Sequence, residues 1–94
     1  MRNRPRKDEA KACDYRARQA LKMAAMCMKN ARGWKRLADG GDQQGIERRA
    51  FWVAMARTYT RSARGYRASA RRERAHQAFM RRHPATAQYL AGGY

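Results

Sequence analysis

Arg57, Arg61, Arg64, Arg67, Arg71 and Arg72 follow one another mostly at spacings of three and four residues, within the stretch "RTYTRSARGYRASARRER". Such spacing puts side chains on neighbouring turns of one helix. A guanidinium is always charged, and its planar fork matches two oxygens of a phosphate or carboxylate at once. The chemistry available is therefore recognition of a polyanion. A merely solvated helix face usually mixes signs through pairs at i,i+4. From Arg48 to Arg82 only Glu73 is acidic. Lys22, Lys29 and Arg36, with Lys11 and Arg18, form a second basic edge earlier in the chain.

Catalytic chemistry has little to work with. General acid–base catalysis needs carboxylates or histidines that converge in a pocket. The seven acids are Asp8, Glu9, Asp14, Asp39, Asp42, Glu47 and Glu73, and all read as helix caps or surface ion pairs. His76 and His83 sit among arginines. Cys13 and Cys27 are fourteen residues apart, about 21 Å along a helix, too far to bridge each other. Neither has metal-ligand spacing, and "ADGGDQQG" carries acids where a phosphate loop needs none. The expectation is no enzyme, no catalytic residue, no metal and no cofactor.

Composition agrees with a polyanion partner. The 94 residues carry 23 Lys+Arg against 7 Asp+Glu, a formal charge of +16. Nucleic acid is the first candidate, an acidic protein surface the second and an anionic membrane the third. An alanine-rich pattern without bulky anchors argues against the membrane, and no apolar run is long enough to span one. No signal-peptide pattern follows "MRNRPRKDEAK". That points to a reducing, cytoplasmic compartment, or a host cytoplasm for a viral protein.

The elements that must position these residues are helices. Alanine, the best helix former, occurs nineteen times, and no stretch alternates as a strand does. Residues 1–6 read as a basic arm, 7–83 as a helical hairpin and 84–94 as a short C-terminal helix and tail. The first helix is expected from about residue 7 to Ala38, with Gly33 as a weak point. "ADGGDQQG" is the turn: Gly40 suits a left-handed position and Asp42 can cap the next helix. The second helix starts near Gln43 and ends between Ala70 and Arg82, and Gly65 is a candidate bend. Pro84 opens the third, stopped by Gly92 and Gly93.

Two heptad stripes define the hairpin. Cys13, Ala17, Ala20, Ala24, Cys27, Ala31, Trp34 and Ala38 alternate steps of four and three. Trp52, Ala56, Tyr59, Ala63, Tyr66 and Ala70 do the same. Folding at the glycine turn sets Trp52 against Ala31, Ala56 against Cys27, Tyr59 against Ala24, Ala63 against Ala20 and Tyr66 against Ala17. Large then meets small, or small meets small, across antiparallel helices. In this frame Arg57, Arg61, Arg64 and Arg72 point away from the seam, and Arg67, Arg71 and Arg74 lie on one flank.

Two segments, "ALKMAAMCM" and "AFWVAMA", are apolar almost all round. Met26, Phe51 and Val53 are the candidate partner interface. Covering them falls to the C-terminal segment with Phe79, Tyr89 and Leu90, to a second copy in a homodimer, or to another protein. The fold expected is all-α, an antiparallel hairpin plus a short helix, completed as a bundle if it dimerises. The function expected is binding of RNA or DNA through phosphate contacts with low sequence specificity. The alternative is a small viral-type inhibitor or adaptor docking on an acidic protein or nucleoprotein surface.

Overall fold

The computed structural model describes residues 6–92, with the side chains of residues 6–8 and Ala87 left aside. Residues 1–5 of the expected 1–6 arm, with Gly93 and Tyr94, lie outside the described residues, and the sixth arm residue, Arg6, already belongs to the first helix. Three helices follow in order: α1 (Arg6–Asp39), α2 (Gln43–Arg82) and α3 (Pro84–Leu90). No strand occurs among the described residues. α1 and α2 pack against each other as an antiparallel hairpin, and α3 touches only α2.

The turn is built by three short-range devices. Gly41 takes φ +85°, a left-handed value that glycine adopts without a Cβ clash. The sequence alone suggests Gly40 for this role. The chain passes Gly40 while still bonded to the last turn of α1, Gly40 N–H donating to Arg36 O at 3.2 Å. It reverses one residue later, where Gly41 and Asp42 N–H bond Ala38 O and Leu37 O. Asp42 then caps α2 by accepting from Gly45 N–H at 2.8 Å. Gly45 is buried where the helices first meet. A Cβ there would come within 2.7 Å of Leu37 Cβ and 2.8 Å of Ala38 N.

Beyond the turn, alanine sets the helix separation. The buried apolar residues are Ala10, Ala17, Ala20, Ala24, Cys27, Ala31, Ala56, Ala63 and Ala70. No large side chain is fully buried among the described residues. The stripes therefore meet as expected, with Ala63 against Ala17 and Ala20 and Leu21 packed at the side. One seam assignment needs correction: Tyr66 is 37 % exposed. Alanines at 17, 20 and 63 bring the backbones too close to bury a phenol ring between them. Trp34, Trp52 and Tyr59, also seam residues, stay half-buried for the same reason.

Both long helices are continuous. Neither Gly33 nor Gly65 breaks its helix, and neither adopts a positive φ. α2 ends at Arg82 because Pro84 follows, which excludes the helical conformation at His83. His83 has φ −131° and donates its N–H back to Phe79 O and Met80 O. α3 does not cover the hairpin: Tyr89 and Leu90 are exposed.

Candidate nucleic-acid interface

The geometry of α2 decides where its arginines act. Val53, Ala56, Arg57, Thr60, Arg61 and Arg64 share one shoulder of the helix at heptad-like spacing. They meet Ala24, Ala25 and Met28 of α1 across a groove of about 550 Å³. The floor is aliphatic, and Arg57, Arg61 and Arg64 stand along one wall. In sequence terms these three faced away from the seam. An arginine stem is long enough to lie across its own helix, and the apolar floor gives its methylenes a surface to cover.

Two acidic sites bracket the groove. Asp14 on α1 is ion-paired with Arg74 on α2. Hydrogen bonding from Arg74 holds the Asp14 carboxyl below its ordinary range, with further help from the charges of Arg74, Arg18 and Arg67. Arg74 alone contacts the carboxylate, and Arg18 and Arg67 act on it through their charge. Toward the turn, Lys35 Nζ contacts Asp39 Oδ2 at 2.6 Å. That contact, with the charge of nearby Arg49, lowers the Asp39 carboxyl as well. Between the two sites Arg57, Arg61 and Arg64 have no acidic partner among the described residues. The basic track from Arg49 to Arg74 runs about 37 Å at helical rise.

The residues expected to bind nucleic acid are therefore distributed, not gathered. Arg57, Arg61 and Arg64 stand together on the groove. Arg67 belongs to the Asp14 cluster, and Arg71 follows it one turn on. Arg72 is exposed and donates to Ser69 Oγ at 3.1 Å. Lys22, Lys29 and Arg36 are exposed at heptad spacing on α1, and at ~100° per residue they fall on its outer side, away from α2. The expected partner interface also divides. Val53 lines the groove, whereas Met26 and Phe51 are more than half exposed and do not. Phe51 lies ~200° round α2 from Val53, and Met26 ~200° round α1 from Met28. That second face holds the Phe51–Trp52 edge-to-face pair at 5.1 Å.

Sequence reasoning passes over Arg48, Arg49 and Thr60, and marks Ala25 and Met28 only as part of the apolar segment "ALKMAAMCM". Arg48 lies over the Trp34 ring at 5.7 Å, a cation–π contact that joins the two helices near the turn. The hairpin register itself carried the signal, since it sets Arg48 and Arg49 opposite Trp34 and Lys35. His76 and His83 are exposed, Cys13 and Cys27 are free thiols, and no group of three metal-binding side chains occurs among the described residues. No described helix is long and apolar enough to cross a membrane. No protein-family model, curated protein or solved structure matches this chain.

Proposed function

We propose that this chain binds nucleic acid, RNA or DNA, by laying the groove side of the hairpin along a phosphate backbone. The observation that carries the reading is the run of exposed arginines, Arg57, Arg61 and Arg64, unneutralised between the Asp14 and Asp39 sites. Each neutralised phosphate releases condensed counterions, so such a run binds polyphosphate strongly at low salt. The ~37 Å track corresponds to about eleven base-pair steps, one turn of duplex. Among the described residues the arginines lie along the sides of two long helices, so phosphate contact dominates and sequence preference is low. Arg67 and Arg71 extend the contact toward Asp14. Lys22, Lys29 and Arg36 on the outer side of α1 give a second basic edge, suited to bridging two segments.

Replacing Arg61 and Arg64 with glutamine removes two charges and keeps helix propensity. Measured on duplex DNA and duplex RNA, the slope of log affinity against log salt should fall by about one unit per lost contact. The loss should be equal across sequences. An unchanged slope on both duplexes would remove this face from the interface.

A further inference from the structure

A phosphate backbone has no use for an aliphatic floor. Ala24, Ala25, Met28 and Val53 line the groove beside Arg57, Arg61 and Arg64, and no acid is among the lining residues. The ligand that uses both features is apolar on one side and anionic on the other. We propose that the groove seats an amphipathic helix of an acidic partner protein. Its apolar stripe lies on Met28 and Val53, and its Asp or Glu side chains meet the three arginines.

Shape supports a helix as occupant. The trough between two antiparallel helices is where a third helix packs in a bundle. The lining on α2 runs from Val53 to Arg64, about 16 Å, or three helical turns. Such a length presents apolar anchors at i, i+3 or i+4, and i+7. Charge selects the partner. A second copy also carries +16 and would bring its own cations to the arginine wall. α3 of this chain holds no acid, and it contacts α2 alone. Insertion of unpaired bases would call for aromatic stacking platforms, and no aromatic residue lines the groove. The proposal stands on the groove and not on the nucleic-acid reading. Because Arg57, Arg61 and Arg64 serve both, the acidic helix and a nucleic acid compete for this face.

The probe is a synthetic peptide of about 18 residues, long enough to hold helix in solution, with leucine on one stripe and glutamate beside it. Its control has the same composition with the leucines out of helical register. Fluorescence anisotropy should show the amphipathic peptide binding at least about tenfold tighter than the control. Ala25 is exposed on the groove floor, so Ala25→Trp fills the trough and keeps every charge. It should abolish the tenfold advantage. If the indole disturbs the hairpin by circular dichroism, Met28→Gln replaces it, wetting the floor at equal charge and lowering peptide affinity about fivefold. Equal binding of both peptides, or an advantage left undiminished in a folded floor variant, overturns the proposal. Peptide binding without duplex binding would leave it standing and remove the nucleic-acid reading instead.

Discussion

Asp14 and Arg74 are sixty residues apart in sequence, and their ion pair ties the first third of α1 to the far part of α2. Both side chains keep substantial exposure, and exposed pairs contribute modestly because water screens them. Their value is positional: they favour one register over neighbouring slips. The pH dependence has a definite sign. Since the folded state holds the Asp14 carboxyl below its ordinary value, its contribution is fully present above the unfolded value, near 4. It is lost as pH falls through the lower, folded value. Asp14→Asn should therefore lower Tm slightly at pH 7, and the difference from the parent should shrink below about pH 4. Thermal melts between about pH 7 and pH 2 check this, and a Tm difference that grows on acidification would contradict it. The residues of this cluster were visible singly in the sequence. Asp14 read as a local helix-start acid, since nothing along α1 identifies a partner sixty positions away.

At the scale of the element, the helices are continuous in spite of their glycines. Gly33 and Gly65 lie inside α1 and α2, without positive φ, and a Cβ at either would meet nothing within 4 Å. Glycine at such positions costs about 0.8–1 kcal/mol relative to alanine. Gly33→Ala and Gly65→Ala should each stabilise the hairpin by about that amount, read as a higher urea midpoint at constant m. A lower midpoint would mean that the glycine is needed for a bend. Gly45 is the opposite case, because the same test there meets Leu37 and the backbone of Ala38. The heptads made the hairpin, its turn and its register legible, down to Ala63 against Ala20. They overstated Tyr66. A periodicity assigns a face to each residue, but not the distance between facing backbones. Alanine on both sides shortens that distance until an aromatic ring no longer fits.

At the scale of the whole molecule, the described residues form a rod, 70 × 25 × 14 Å, with a radius of gyration of 20.7 Å. A compact chain of this length would have a radius near 12 Å. Two helices side by side bury a single alanine seam, and the rest of their surface stays in water or against a partner. Arg57, Arg61, Arg64 and their neighbours therefore repel one another along a body with little core to oppose them. Screening should help. Raising sodium chloride from about 10 mM to about 1 M shortens the Debye length from ~30 Å to ~3 Å. Tm should rise over that range, with a circular dichroism melt as the measurement. A falling Tm would mean that ion pairs such as Asp14–Arg74 outweigh the repulsion. α3 does not provide the C-terminal cover for Met26, Phe51 and Val53: it touches α2 alone, and its Tyr89 and Leu90 are exposed.

By itself the sequence determined the helical class, the glycine turn with its Asp42 cap, the alanine seam and the excess of arginine. All are properties of neighbours within a few turns: propensity, capping and a periodicity close to 3.5 residues. Only the tertiary structure decided that Val53 joins Met28 and Ala25 in one trough while Phe51 and Met26 face elsewhere. It alone decided that Arg74 pairs with Asp14, with the charges of Arg18 and Arg67 acting on the same carboxylate. The reason is geometric. A helix places its own side chains by a fixed angle per residue, but a groove is made by two helices. Which shoulders line it depends on how closely their backbones approach and where long stems come to rest.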